Sequence, residues 1–596
     1  MTADPASTTT TESPRMPQLR RRALLRGGAL AVSGLAAAAL LGCGGDDEEE
    51  DAVGQGSVAS PTATTGGKSP ADIAKEWGSA YPFQFPEPDS PPKKGGTFRW
   101  STNWDPATFD PSTSQAGGTM GPTNIVYNRL LGYKRGVHFD PFKLEFEPEI
   151  AKQWEVSPDG LTYTFKLAPS VKWQNVEPLN GRPFIANDVK LAYDRYAGGG
   201  LNKGYFQSVD RITAVDDTTL NIGLKQPEPD FLSPLASRYL TLIPHELADD
   251  GTTKTRMVGT GPMIMKRLEA GTRLVFERNP EFFEREVLLD GMEVLLQPDA
   301  AARLAGFRAK QTDYAYAIVD TVSDVKALLA TNPDIQINAN SPINYGSTFA
   351  LQLRNPKWQD ARVRRALNLA LDFENESQIL AGGAGWHLPS TPWFWLFDQR
   401  PSGEAQLGRW WRYDPKEATQ LLQAAGATDL EFDYPYFTYS SLTARQAELY
   451  TDVLQRIGVK MHPAAIDYTS YNSQWVGGTF KDTTYGWVPF GFAPNTPFYE
   501  QVHSKSGSNR WGITDTEIDS WAERQRVELN VQARKELHRK IWDKMQDQIY
   551  YVTLGQSHTY SVYQPWLRNV RNGGALIVSI IYYDLGDSLG EAWLDK

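Results

Sequence analysis

The residue types that commonly perform catalysis do not stand at catalytic spacings in this chain. We find no Gly-x-Ser-x-Gly elbow, no His-Glu-x-x-His pair and no phosphate-binding loop in the 596 residues. The glycine run 198–200 is interpreted as a flexible loop. Carboxylate pairs are frequent, but their spacing alone does not identify a glycosidase-like pair. A protein that only bound a ligand in a cleft would need none of these sets, but rather a few polar anchors and much apolar wall.

Composition excludes several further classes. The chain carries 60 Lys and Arg against 71 Asp and Glu, a net charge of −11, which argues against a nucleic-acid partner. Its single cysteine excludes a disulfide scaffold and a thiolate cluster. Seven scattered histidines do not suggest a metal centre. No cofactor and no metal are therefore expected.

The only cysteine, Cys43, lies where an N-terminal apolar run ends. Arg20, Arg21 and Arg22 precede the small-residue run 27–42, which is shorter than the roughly 20 residues of a membrane-spanning helix. This is the layout of an export signal, and the segment 21–26 resembles the twin-arginine motif. Leu40-Leu41-Gly42-Cys43 resembles the bacterial lipobox. We therefore predict lipidation at Cys43 by a diacylglyceryl thioether, whose two acyl chains suffice for stable anchoring.

The next segment predicts a tether. Residues 43–94 hold the acidic run 46–51, then Gly, Ser and Thr, and then a cluster of prolines. Such a composition cannot bury enough apolar surface to offset the entropy of the chain. The remaining length is enough for several compact units.

Strand and turn signals begin at Lys94. Gly95 and Gly96 precede an alternating run at 97–100, and Ser157-Pro158-Asp159-Gly160 separates two β-rich runs as in a hairpin. Asn187 or Asp188 is a candidate N-cap for a helix through Tyr193. Residues 516–548 are interpreted as one long charged helix. The pattern favours an α/β chain.

An ordered succession of motifs resembles the peptide/nickel class of extracellular solute-binding proteins (family 5), the receptors of ATP-driven importers. The matching segments are Gly259-Thr260-Gly261-Pro262, Glu277-Arg278-Asn279-Pro280, Asp360 to Leu367 with Ala370-Leu371-Asp372, and Tyr413 to Ala418. The resemblance covers about 95–590.

The resemblance implies an α/β, two-lobed periplasmic-binding-protein-like fold of class II, large form. Lobe I is expected at 95–344, with a subdomain inserted at about 118–204, and lobe II at 345–554. The chain is expected to return to lobe I over 555–596.

Candidate ligand-binding residues follow from position in this resemblance and from side-chain chemistry. Peptide carriers of the family often hold the ligand's amino terminus with an Asp in a Trp-x-x-Asp-Tyr segment. Here that segment is Trp487-Val488-Pro489-Phe490, so the usual salt bridge is not expected. Aromatic rings suit sugar faces or apolar and cationic ligands, although each ring can equally pack in the core of lobe II. The candidates are Gln115, Tyr345, Trp393, Trp395, Trp487, Phe490, Phe492 and Asn495.

The resulting hypothesis is a monomeric, lipid-anchored receptor that captures an oligopeptide or oligosaccharide and delivers it to the permease subunits of an ATP-driven importer. It would be extracytoplasmic, either in a periplasm or on the outer face of the cell membrane. The alternative is an exported surface hydrolase acting on polysaccharide.

Overall fold

The computed structural model describes residues 90–596, with gaps at 104, 135–144, 317, 341–344, 384, 386, 438–440, 490–492, 558 and 571–590. The predicted export signal, Cys43 and most of the predicted tether lie outside these residues.

A seven-stranded mixed sheet forms the first structural layer. Its first strand follows Gly95 and Gly96, whose positive φ values of 104° and 85° favour glycine. Phe98 and Trp100 of this strand are buried on the core side while Arg99 is exposed, as the alternation predicts. The strand order is β12-β18-β11-β1-β10-β9-β8. Its strands are β1 (Thr97–Thr102), β8 (Met263–Glu269), β9 (Arg273–Arg278), β10 (Gly291–Leu296), β11 (Tyr314–Ala315), β12 (Gln336–Asn340) and β18 (Thr559–Tyr563).

A second, antiparallel sheet of order β4-β5-β7-β6 has its own core. Its strands are β4 (Ala151–Val156), β5 (Thr162–Leu167), β6 (Val209–Asp216) and β7 (Thr219–Leu224). The predicted hairpin joins β4 to β5, and Gly160 has a φ of 69°. Strands β6 and β7, which pair within this sheet, follow residue 204 in the chain.

Helices and short strands complete the part of the chain around these two sheets. They are α1 (Gly117–Val126), β2 (Leu131–Tyr133), β3 (Phe146–Pro148), α2 (Ala186–Gly198), α3 (Leu232–Leu235), α4 (His245–Asp249), α5 (Ala300–Arg308), α6 (Val322–Thr331), β19 (Leu567–Arg568) and β20 (Trp593–Leu594). The predicted N-cap of α2 is wrong by two to three residues, since Ile185 is the N-cap. Asp188 instead lies inside the first turn, where its carboxylate accepts the backbone N–H of Ile185 at 2.9 Å.

A third layer is built on β13 (Tyr345–Leu351), which lies between β16 (Thr483–Pro489) and β17 (Val552–Thr553). Side-chain hydrogen bonds from Thr483 and Thr484 to the backbone of the strand at 431–437 join the parallel pair β14 (Glu431–Phe437) and β15 (Lys460–Ile466) to β16. The helices around this layer are α7 (Ala361–Ala370), α8 (Phe373–Ala381), α9 (Glu404–Leu407), α10 (Pro415–Ala424), α11 (Ser441–Gln455), α12 (Tyr468–Val476), α13 (Thr516–Gln525) and α14 (Val531–Gln548).

The predicted single helix at 516–548 is wrong, because two helices occupy this range. The first helix, α13, ends at Gln525 and the second, α14, begins at Val531. Asn530 starts the second helix by accepting the backbone N–H of Ala533 at 2.9 Å. A side-chain cap of this kind stabilises a helix start at this point and breaks the continuity that the charge pattern had suggested.

We call the elements β1–β12 with β18–β20 lobe I, and the elements β13–β17 with their helices lobe II. Strand β18 follows β17 in the chain, yet it pairs with β12 and β11 in the sheet of lobe I. The chain therefore crosses from lobe I to lobe II after β12 and crosses back after β17.

Candidate functional site

One edge of the lobe II sheet collects the carboxyl ends of its parallel strands. Strands β14 and β15 run parallel, and β16 and β17 are both antiparallel to β13. Their last residues therefore lie at the edge where β13 begins. Ligands of open α/β sheets bind in the crevice outside such an edge. Polar groups at this edge and across the contact with lobe I are therefore the candidates for a ligand site.

A bidentate ion pair joins the two lobes. The guanidinium of Arg534, on α14 of lobe II, donates to both oxygens of Asp230 in lobe I, each at 2.6 Å. The two side chains are 11% and 10% exposed. The backbone N–H of Asn495, also in lobe II, donates to Asp230 Oδ2 at 2.9 Å. Three lobe II donors thus hold one lobe I carboxylate. Two parallel charge-assisted hydrogen bonds fix both direction and distance.

Gln525, at the end of α13, organises the lobe II side of this contact. Its amide nitrogen donates to Asn495 Oδ1 at 3.2 Å, and its Oε1 accepts from Arg534 Nη2 at 3.1 Å. His538 Nε2 lies 3.0 Å from the same oxygen. Burial, together with the smaller effect of the Arg534 charge, lowers the pKa of His538 to about 3. The imidazole is therefore neutral at neutral pH and does not repel the guanidinium.

The lobe I side continues toward the predicted residue Gln115. The Gln115 amide donates to Asn202 Oδ1 at 2.6 Å and also hydrogen-bonds the phenol of Tyr205. Burial raises the pKa of Tyr205, as do the nearby Tyr239 and the lobe II residue Glu500. Glu500 accepts from Asn495 Nδ2 at 3.4 Å. The predicted residues Gln115 and Asn495 therefore belong to one polar region shared by both lobes.

Carboxylates outnumber cations in this region. Burial raises the pKa of Glu500, the charge of Asp230 raises it too, and Thr496, Arg526 and Asn495 oppose the shift. Burial likewise raises the pKa of Glu228, which accepts a hydrogen bond from Ser208. The surroundings of Asp230 therefore favour positively charged or hydrogen-bond-donating groups.

A second polar group lies where the chain crosses back to lobe I. Glu376, in the first turn of α8, accepts hydrogen bonds from Tyr450 and from Gln446 Nε2, the latter at 3.2 Å. Its carboxyl group lies against Gly555, where a Cβ would come within 2.4 Å of Glu376 Cδ. Gly555 lies two residues after the end of β17, so Glu376 sits near the carboxyl edge of the sheet.

The predicted aromatic residues 393 and 395 take part in packing. Trp393 is 3% exposed and packs with Leu388, Leu407 and Trp542. Trp395 is half-buried, with its ring centroid 6.3 Å from that of Phe498. The burial of Trp393 favours a core role for this ring.

The other predicted residues are described only in part. Tyr345 begins β13 opposite Pro489, and Trp487 pairs with Ser347, but their side chains lie outside the described structure. Phe490 and Phe492 lie outside the described residues altogether. For these four positions the ligand-binding role stays a prediction.

Sequence reasoning missed Asp230, Arg534, Gln525, Glu500 and Glu376. Asp230 closes the turn 227–230, whose Pro-Glu-Pro-Asp sequence marks a loop but not its partner. The partner Arg534 is 304 residues away in the chain. No local spacing connects them, because the contact exists only after both lobes have folded.

The described residues show neither a metal-ion site nor a membrane-spanning helix. No group of three or more His, Cys, Asp or Glu side chains is arranged to hold a metal ion within these ranges. Among the helices that the structure describes, none has the length and apolar character to cross a membrane.

Solved structures define the class of fold. The ABC transporter-associated periplasmic binding protein of Helicobacter pylori, in complex with peptide STSA, superposes with a TM-score of 0.69 at 20% identity. The match covers 85% of this chain and 99% of that chain. The α/β two-lobed periplasmic-binding-protein fold that the motifs predicted is thereby confirmed.

Sequence comparison then gives the family. Residues 145–509 match the family described as bacterial extracellular solute-binding proteins, family 5 middle. Heme-binding protein A of Haemophilus influenzae is 27% identical over 66% of this chain and 74% of its own length. The dipeptide-binding protein of Escherichia coli is 24% identical over 80% of this chain and 91% of its own length. The chain belongs to the family 5 bacterial extracellular solute-binding proteins, a family of binding proteins rather than enzymes.

Proposed function

We propose that this protein is the receptor of an ATP-driven importer, that it captures a peptide-type solute between its lobes, and that a lipid on Cys43 anchors it outside the cytoplasm. Family membership supports the receptor role. The observation that carries the capture mechanism is the Asp230–Arg534 pair, which connects the lobes away from the crossing segments.

Closure in this proposal is an equilibrium between open and closed lobes. A ligand that contacts both lobes stabilises the closed state, and the permease subunits bind that state. Asp230, Arg534 and Asn495 are satisfied only when the lobes meet. The protein thus supplies part of the closing free energy itself, and the ligand supplies the remainder.

The ligand class is proposed from relatives and from charge. Relatives in the family include a dipeptide-binding and a heme-binding protein, and one similar structure holds a peptide. The excess of carboxylates around Asn495 favours a ligand with hydrogen-bond donors or a positive charge, which every unmodified peptide has at its amino terminus. An oligosaccharide is kept as the competing ligand class.

A binding screen tests the proposal. The full chain is titrated with pools of di- to pentapeptides, with oligosaccharides and with heme, while the thermal midpoint and the radius of gyration are followed. We expect a peptide pool to raise the midpoint and reduce the radius of gyration, with the peptide recovered intact. Stabilisation by oligosaccharides alone would replace the peptide assignment. Ligand cleavage would favour the surface hydrolase and reject the receptor.

A further inference from the structure

The carboxyl group of Glu376 is buried with half of its hydrogen-bonding capacity unused. The side chain is 3% exposed. Tyr450 and Gln446 both donate to Oε1, whereas Oε2 has no hydrogen-bond partner. A buried acceptor left without a hydrogen bond loses its hydration without replacement, and the loss is larger if it is charged. We therefore expect Glu376 Oε2 to gain its hydrogen-bond partner from a bound ligand.

In the described part of the chain, no Lys, Arg or His forms an ion pair with Glu376. The titratable groups that face it are phenols: Tyr450 on α11 and Tyr434 on β14, both with raised pKa values and therefore neutral. His387, against Thr553 of β17, is also neutral, since burial lowers its pKa to about 3. Burial raises the pKa of Glu376 to about 7, against hydrogen bonds from Tyr450, from Gln446 and from the backbone N–H of Gly555.

A small cavity lies beside this carboxyl at the carboxyl edge of the lobe II sheet. Glu376 lines it together with Phe373, Ser377, Gln446, Gln556 and Ser557. Its free volume, about 10 Å³, suits roughly one water-sized group. Gln556 and Ser557 belong to the segment that crosses back to lobe I, and both are partly exposed. The cavity therefore borders the segment that connects the two lobes.

We propose that this cavity is a subsite for a primary ammonium group of the bound solute, with Glu376 as the specificity-determining acceptor. The inference rests on the proposed function and deepens it, because it assigns a named partner to an amine of the ligand. An ammonium group is about the size of a water molecule, whereas a guanidinium is too large for the cavity. A sugar hydroxyl would fit but carries no positive charge with which to stabilise an ionised Glu376.

Binding at this subsite releases a proton. Below pH 7 the free protein holds Glu376 as a neutral acid. When R–NH₃⁺ enters, the carboxyl O–H bond breaks, its proton passes to the solvent, and the carboxylate accepts N–H bonds from the intact ammonium. No atom other than this proton is exchanged.

Calorimetry with trialanine and N-acetyl-trialanine tests the subsite through affinity and proton release. At pH 6, in buffers of different ionisation enthalpy, we expect wild-type protein to release close to one proton per trialanine bound. Glu376→Gln should bind trialanine at least tenfold more weakly than wild type and should release no proton. Wild type and Glu376→Gln should bind the acetylated peptide with the same affinity, which is weaker than that of wild type for trialanine. The matched control is Glu374→Gln, an exposed acid on the same helix α8. Equal affinities of wild type and Glu376→Gln for trialanine would overturn the proposal.

Methylammonium separates this proposal from the proposed function. At millimolar concentration it should raise the thermal midpoint of wild type and of Glu374→Gln but not of Glu376→Gln, while tetramethylammonium, too large for the cavity, raises none. If neither peptide binds but methylammonium acts selectively through Glu376, the peptide assignment fails and the subsite stands. If peptides bind but methylammonium acts alike on wild type and Glu376→Gln, or on none of the proteins, the subsite is rejected and the receptor role stands.

Discussion

Arg534 of lobe II holds both carboxylate oxygens of Asp230 in lobe I at 2.6 Å, and this pair ties the lobes together away from the crossing segments. Gln525 Oε1 accepts a hydrogen bond from Arg534 Nη2 at 3.1 Å and so helps to position the guanidinium. In the open state both charges would be solvated, so the pair contributes to closure rather than to the folding of either lobe. Its energetic role is therefore to bias the lobe equilibrium.

Arg534→Gln is expected to shift that equilibrium toward the open state. Closing the lobes would then bury the Asp230 carboxylate without its cation, a loss of about 3–5 kcal/mol for a buried pair. We expect ligand affinity to fall at least about tenfold, with the unfolding midpoint nearly unchanged. Calorimetry and solution scattering measure the two effects.

The control for this variant lies on the same helix. Arg539 forms an exposed (i, i+4) pair with Asp543, so Arg539→Gln should leave affinity unchanged. A charge exchange, Asp230→Arg with Arg534→Asp, should recover part of the affinity. An unaltered affinity in Arg534→Gln would show that the pair contributes nothing to closure.

Gly555→Ala is expected to destabilise the protein by about 1–3 kcal/mol, the usual cost of overpacking. The new Cβ would lie 2.4 Å from Glu376 Cδ and 2.5 Å from both carboxylate oxygens. Urea unfolding measures the loss. Gly204→Ala is the control, since its Cβ would meet nothing within 4 Å. When Glu376 is already replaced by Ala, Gly555→Ala should reduce the free energy of unfolding much less than it does in the wild type. Strictly additive changes in this free energy would contradict the proposed clash.

Acid sensitivity is expected from His538. Its folded pKa of about 3 lies below the unfolded value of 6.5, so the folded state binds fewer protons between these pH values. The stability contribution is present above pH 6.5 and is lost as pH falls toward 3, with a slope of at most about 1.4 kcal/mol per pH unit. His538→Gln should flatten this acid limb in urea unfolding between pH 7 and pH 4.5. Exposed His462→Gln should not, and equal slopes in both variants would reject the assignment.

Membrane anchoring is expected to depend on Cys43 alone. Cys43→Ser removes the only thiol of the chain, so the thioether cannot form. We expect the variant to leave the membrane fraction after a high-salt wash and to lose the mass of the lipid in mass spectrometry. Membrane partitioning of the variant equal to that of wild type would refute lipidation at this residue.

The elements of the fold could be predicted where local chemistry decides the backbone. Gly95 and Gly96 require positive φ, and the turn at 157–160 connects β4 to β5, so both signals were sufficient. The prediction of a single helix over 516–548 was wrong, because the charge pattern does not reveal an interior N-cap such as Asn530.

The candidate site was predictable only in part. Gln115 and Asn495 were named from position, and both take part in the polar region between the lobes. Asp230 and Arg534 could not be named, because their contact depends on tertiary folding across 304 residues. Glu376 could not be named for the same reason, because its buried environment comes from contact with Gly555 and not from its neighbours in sequence.

Helix α14 connects the two features on which this account depends. Arg534 lies in its first turn, and after its last residue, Gln548, the chain reaches β17 and then Gly555 within seven residues. An 18-residue helix is about 27 Å long. One element therefore carries the ion pair to lobe I at its beginning and leads, at its end, into the strand that precedes the return crossing to lobe I.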